Sequence, residues 1–407
     1  MNLLENGLVE KFIFKTENKK RLVIGNIPKD YPVYRIRLDK LFYNDQNDRI
    51  STWISEYKLK NNIDKIDYSD RESYNKIIHG FITDSNSDAM KKTQQNIEAI
   101  GQIEAGVVLA DGRIIDGNRR FTCLRNIQEK NKEVQYFEAV ILDYSIEHNE
   151  KQIKMLELML QHGVDEKVGY SPIERLVGIY HDIVETKLLT IAEYAKSIND
   201  TEKNIAMEVE KAKLLAEFLE FINADKQFHL ARDLELVDPL KELHSMLKKI
   251  NDEETKDDLK NAVFSQFICK PVGDLTRYTR KIKDIANNPK HLKDYLEEQL
   301  PIVEKVCDNL EEVDQLTDKK IGEIGENKEI KEDFSRITEK YVSRVAGDIT
   351  RNAPLRSVEK ACNALDEIDL RILHKLKDEQ IEDLTEKIST LEKILQKVKE
   401  EISGLQI

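Results

Sequence analysis

At 407 residues the chain exceeds one ordinary domain, so two or three compact units, or one unit with long helices, are expected. Charged residues make up 35% against 40% hydrophobic, with 15 Gly and 8 Pro, a profile that fits a helix-rich folded protein and excludes a disordered one. The net charge of −13 excludes bulk electrostatic coating of nucleic acid. Through residue 160, however, Lys/Arg and Asp/Glu balance at 25 each, so the deficit lies beyond that point and the N-terminal part is the better home for an anionic ligand.

Apolar stretches such as Val107 to Ala110 and Ala139 to Leu142 are far too short to cross a bilayer, and no basic-then-apolar leader opens the chain. A cytoplasmic protein without membrane contact is expected. Cys123, Cys269, Cys307 and Cys362 lie far apart without a CxxC pair or a His at ligand spacing, so reduced thiols are expected and no metal site.

Residues 8 to 42 read as strands, with alternation from Val33 through Leu38 and punctuation by Pro28 and Pro32. Trp53, Ile54, Tyr57 and Leu59 predict a short helix, and Asn61 to Asp70 an exposed insertion. A helix then starts at Ser87 or Asp88 as N-cap, buries Met90, Ile97 and Ile100, and ends at Gly101. Glu104 to Leu109 is a strand, Asp111-Gly112 a tight turn, and Arg113-Ile114-Ile115 the return. A helix from about Asn118 to Lys130 and a strand from Tyr136 to Leu142 complete a small mixed α/β domain.

Beyond 150 every periodic segment is helical: 149–162, 172–187, 190–197, 202–222, 234–250, 255–269 and 274–286. Ser171-Pro172-Ile173-Glu174 has the polar cap, early proline and acid of a helix start. Thr190 to Leu214 reads as two helices joined at Ser197 to Asp200, the length of a helix-turn-helix. Ile381, Leu384, Ile388, Leu391, Leu395, Val398, Ile402 and Leu405 form an unbroken heptad, which predicts either a parallel homodimeric coiled coil or a hairpin onto the 303–316 helix. The expected fold class is α+β, in three parts: an α/β domain over 1–147, a helical domain with helix-turn-helix over 148–290, and a helical region over 291–407 ending in coiled coil at about 378–405.

Asp116-Gly117-Asn118-Arg119-Arg120 sits where a strand meets a helix start. Unpaired first-turn amides and the positive end of the helix dipole make such a place an anion cradle. Gly117 permits a positive φ, Arg119 and Arg120 offer forked donors for phosphate oxygens, and Asp116 is placed to cap the helix or to help position a metal. The alternative is a hairpin end whose arginines pair with Asp116, Glu104 or other acids.

In its context this motif resembles the ParB/sulfiredoxin superfamily over roughly residues 30 to 290. Tyr34 to Leu41 with Asn44 and Arg49 resembles the opening strand, and Gly101 to Val108 the helix-to-strand entry, without its usual proline. Asp111 to Arg120 is similar to the phosphate box, GERR in ParB and GCHR in sulfiredoxins. Gln161 with Tyr170 to Arg175 resembles the passage into the ParB helix-turn-helix. The resemblance implies that Gly117, Asn118, Arg119, Arg120, Gln161 and His162 would line the phosphates of CTP or ATP, with or without magnesium. Asn118 stands where sulfiredoxins carry the catalytic cysteine and ParB a glutamate, which argues against sulfinic acid reduction and against a carboxylate base there. Leu158 to His162 retains only Gln161 of the family's ENxQR-type segment, and His162 is either a replacement phosphate donor or a histidine favoured by a helix C-terminus.

For DNA, Thr201, Lys203 and Asn204 are the groove-facing candidates of the second helix, on which Lys203, Lys211 and Lys213 are met by Glu202, Glu208 and Glu210. Lys19-Lys20-Arg21 and Arg277, Arg280, Lys281 and Lys283 are alternative phosphate contacts. The leading expectation is a ParB-like nucleotide-binding, DNA-associated homodimer in a partitioning, regulatory or DNA modification or defence setting. The enzymatic rival is phosphoryl transfer, NTP hydrolysis or DNA cutting with Asp116 and Glu104 as candidate acids, and the third reading is a catalytically silent adaptor.

Overall fold

A computed structural model describes residues 2–24, 27–144, 146–162, 171–271, 273–311 and 318–404. Tyr170 and Leu405 lie outside these residues, as does the side chain of His162. Two compact units are present, Met1–Val342 and Ser343–Ile407.

Among the described residues of the first unit, the strands β1 (Ile13–Ile24), β2 (Ile27–Arg37), β3 (Gly106–Leu109), β4 (Ile114–Asp116) and β5 (Tyr136–Leu142) form one mixed five-stranded sheet in the order β1-β2-β5-β3-β4. β1 and β2 are an antiparallel hairpin whose register runs from Ile13↔Ile36 to Ile24↔Ile27, with an irregularity between Lys15 and Lys19. β2 pairs antiparallel with β5, but only over Val33 to Arg37, so the distal part of the hairpin pairs with itself alone. β3 runs parallel to β5 and antiparallel to β4.

Alternation divides the strand side chains between two cores. Ile13, Ile36, Val108, Ile114, Phe137 and Ala139 face one core with Phe121, Leu124, Met90, Ile97 and Ile78 from the helices Asn118–Asn131, Ser87–Ile100 and Arg71–Ser85. Leu22, Val33, Val107, Leu109, Ile115 and Val140 face the other, covered by Ile153 and Leu156 of the helix Ile146–His162. The sheet is thus an apolar layer between helices, and the end of β4 opens at its rim.

Several local expectations are corrected. Asn86, one residue before the predicted caps, accepts from the Ala89 amide, and Ile100 is 66% exposed because it lies on the solvent side of the last turn. The strand predicted from Glu104 begins only at Gly106. Glu174 lies in the first turn of the helix capped at Ser171, as expected, but its side chain reaches a second helix. It is buried and accepts from the Ser51 hydroxyl (2.5 Å), the Thr52 amide (3.2 Å) and the Thr52 hydroxyl, which caps the helix Ser51–Asn61, where the N-cap Ile50 has no side chain to do so.

The helical segments predicted after 150 appear as Pro172–Ile179, continued by a π-helical turn to Glu185, then Ile191–Ile198, Glu202–Phe221, Val237–Leu247, Glu253–Cys269 and Leu275–Ala286. Thr190 and Glu193 form a reciprocal capping box, and Asn199 takes the left-handed conformation that ends the helix before Thr201 caps the next. An α+β part followed by helices is therefore the architecture. In the second unit the helix Asp378–Gly404 buries none of its residues within the chain. No described helix is long and apolar enough to cross a membrane.

Candidate functional site

Gly117 stands at the junction of β4 and the helix Asn118–Asn131, at φ 103° and ψ 17°, where an added Cβ would lie 2.7 Å from Phe137 Cζ. Glycine satisfies both the positive φ and the close ring. Gly117 is itself the N-cap and no side chain caps the helix, so its first-turn amides are left to solvent or ligand. Asp116 therefore does not cap the helix, as one of the sequence alternatives had it.

The two arginines of the motif have different surroundings. Arg120 donates from Nη1 to Glu104 Oε2 (2.9 Å) and from Nη2 to Asp116 Oδ2 (3.1 Å). Lys20 from β1 adds a second cation, with Nζ 2.5 Å from the Ala105 carbonyl, 3.4 Å from Asp116 Oδ2 and 3.6 Å from Glu104 Oε1. These four charges interact with one another, so the alternative of pairing with Asp116 and Glu104 describes Arg120. It does not describe Arg119. With the described residues the Arg119 side chain makes no hydrogen bond or ion pair, and burial followed by the neighbouring Arg49 guanidinium lowers its pKa from the ordinary value. Two cations held near each other in a partly desolvated place favour an anion between them.

A cavity of about 500 Å³ adjoins this turn and is lined by Asn118, Arg119, Arg120, Gln161, Asn47 and Arg49 among others. Asp116, Glu104 and Gly117 also reach it, so the structure brings together every predicted phosphate-box residue except His162, whose side chain is outside the described set. Asn118 is 8% exposed, and its Oδ1 is buried without a hydrogen-bond partner. Such a group ordinarily finds one, and a ligand in the cavity would supply it. The opposite wall comes from Ile82, Ser85, Thr93, Asn96 and Ile97 on the two preceding helices.

Gln161 reaches the cavity from a buried polar layer that sequence reasoning missed. Its Nε2 donates to Glu157 Oε1 (2.9 Å). One turn before, Lys154 Nζ lies 2.6 Å from Asp48 Oδ1 and 3.4 Å from Asp182 Oδ2, and His181 Nδ1 lies 3.2 Å from Asp182 Oδ1. Lys154, Asp48, Glu157 and Asp182 are all buried. Burial works against the Lys154 charge, but Asp48 and Asp182 outweigh it and hold the ammonium well above its ordinary pKa. Burial, reinforced by Asp48 and Asp182 against Lys154, pushes Glu157 up to about 8. The cluster fixes the turn Asn47-Asp48-Arg49, two of whose side chains line the cavity.

Cys123, one turn into the motif helix, is fully buried and its thiol is pushed up to about 11 by burial, unsuited to nucleophilic chemistry at neutral pH. No cluster of three or more His, Cys, Asp or Glu suited to a metal occurs among the described residues.

The DNA-facing candidates lie apart from this cavity. Thr201 Oγ1 accepts from the Asn204 amide, and the Asn204 side chain donates to Asp200 Oδ1 (2.8 Å). Lys211 and Lys213 pair with Glu208 and Glu210, while Lys203 makes no ion pair with a described residue. Of the alternative C-terminal cations, Arg280 and Lys283 both pair with Glu242.

No family model and no curated protein matches the chain. Among solved structures, a Pnob8-like ParB-N domain is similar to it at 11% identity and a TM-score of 0.36, over 66% of this chain and 97% of that chain.

Proposed function

We propose that the protein is a ParB-like nucleotide-binding, DNA-associated protein whose Gly117 to Arg120 turn holds the phosphates of CTP or ATP. The observation that carries the reading is Arg119, a guanidinium without an acidic partner among the described residues, beside Arg49 at the mouth of a cavity that also receives uncapped helix amides. The cavity's size suits a nucleotide, and the orphaned Asn118 amide offers a further contact. Binding rather than turnover is favoured, because Asp116 and Glu104, the candidate acids, are engaged by Arg120 and Lys20. Thr201, Lys203 and Asn204 remain the helix-turn-helix residues proposed to meet DNA, and the heptad of the Asp378–Gly404 helix is proposed to dimerise the chain.

The test is a thermal-shift panel of CTP, ATP and GTP with magnesium on wild type, Arg119→Ala and Arg49→Ala. One nucleotide raising the melting temperature of wild type but of neither variant supports the site. Absence of any shift in wild type at millimolar nucleotide, or an equal shift in all three proteins, overturns it. Phosphate release abolished by Asp116→Asn would promote the enzymatic rival instead.

A further inference from the structure

The β1–β2 hairpin carries seven Lys/Arg against two Asp/Glu in a chain whose net charge is −13. Its register places Lys15, Lys19 and Arg21 opposite Tyr34, Pro32 and Asp30, alternate residues of β2, so the three cations project from one face. All three are exposed, and none makes an ion pair with a described residue. The two acids do not cancel them. Glu17 sits in the irregular segment between Lys15 and Lys19, and Asp30, although opposite Arg21 in register, forms no ion pair with it.

Position strengthens the contrast. β1 is the edge of the sheet, and the six pairs from Lys19↔Pro32 to Ile24↔Ile27 lie beyond the reach of β5, as a two-stranded ribbon roughly 20 Å long. Its other face is pinned to the body by Leu22, which is buried, and by Lys20 on the Ala105 carbonyl. The ribbon is therefore held firmly on one side while its cationic row faces solvent. Alternate strand positions recur at about 6.7 Å, close to two of the ~3.4 Å charge steps along one strand of a duplex, and a ribbon of this width enters a major groove. In the helix-turn-helix, by contrast, Thr201 and Asn204 are bound to the backbone and to Asp200, and the following lysines to glutamates.

We infer that the β1–β2 hairpin is a duplex DNA contact in its own right, with Lys19 and Arg21 of the ribbon and Lys15 just before it on phosphates, and the helix-turn-helix secondary to it. The inference rests on the DNA-associated part of the reading above and is independent of nucleotide binding.

The experiment measures binding of the full chain to a fluorescent 30-base-pair duplex across a salt series. Three proteins are compared: wild type, Lys15→Gln/Lys19→Gln/Arg21→Gln, and Thr201→Ala/Lys203→Gln/Asn204→Ala. The ribbon variant should bind at least ten-fold more weakly, with a salt slope shallower by about 2 to 3, near 0.9 for each phosphate no longer neutralised. The helix variant should stay within about three-fold of wild type, a difference under ~0.7 kcal/mol. Because all three hairpin side chains are exposed, an unchanged melting temperature verifies the fold. Wild type that binds DNA while the ribbon variant binds equally overturns the inference alone. Wild type that retains no DNA at low salt overturns the DNA-associated reading and the inference together. Retention on vesicles containing anionic lipid, abolished in the ribbon variant and unaccompanied by duplex binding, would assign the ribbon to a membrane surface and overturn it as well.

Discussion

Arg119 and Arg120 differ in what their removal leaves behind. Arg120→Ala removes a guanidinium that donates to Asp116, which is 8% exposed, and should cost about 1–3 kcal/mol in urea unfolding. Arg119→Ala removes a partly buried cation that repels Arg49, so without ligand its melting temperature should equal or exceed that of wild type. Gly117→Ala should cost about 1–3 kcal/mol by the same measurement, since alanine would have to hold φ 103° with its Cβ against the Phe137 ring. This turn was legible in the sequence because glycine, paired arginines and a strand-to-helix change coincide within a few residues. Its division of labour was not, since which arginine meets Glu104 and Asp116 depends on side-chain reach across 4 and 16 positions.

At the scale of elements, periodicity located the helices after 150 and the strand Tyr136–Leu142, because one-sided burial leaves a repeat of 3.6 or 2 residues. It could not reveal Lys154 with Asp48, 106 positions apart, nor Glu174 with Thr52, 122 apart, because a single buried polar pair leaves no period. Removing one member of such a buried pair leaves the other without its partner. Lys154→Met leaves Asp48 and Asp182 buried beside His181 without their ammonium, and a loss of about 3–5 kcal/mol is expected in denaturant unfolding. The cluster also sets a pH dependence. Glu157 has an ordinary pKa of 4.5 and a folded value of about 8, so between these values the native state holds a proton that the unfolded chain has released. Stability should therefore fall as pH rises through that window and level off above it. His181, raised chiefly by its hydrogen bond to Asp182, slopes the same way, its contribution being present below 6.5 and lost as pH rises through its folded value. Glu157→Gln should flatten the profile in part, leaving the histidine's share, as followed by melting temperature from pH 5 to 9.

For the whole molecule, the heptad of the Asp378–Gly404 helix predicts a self-associating chain. Ile381 and Ile388 are 45% and 44% exposed, apolar side chains of the heptad that a second helix would cover. Light scattering after size exclusion should give a dimer mass that Ile388→Asp/Leu395→Asp reduces to the monomer, and a monomeric wild type would remove the coiled coil from the proposal. The long-range bonds have a further consequence during synthesis. Asp48, Thr52 and Glu56 leave the ribosome long before Lys154, Glu174 and Arg232, their partners at separations of 106, 122 and 176. At roughly 5–20 residues per second, the nascent sheet waits about 5–20 s for the lysine alone. For that interval the cavity's Asn47 to Arg49 turn lacks the ammonium that fixes it, so the growing chain should complete the proposed anion site only after the helical segment to Asp182 has emerged.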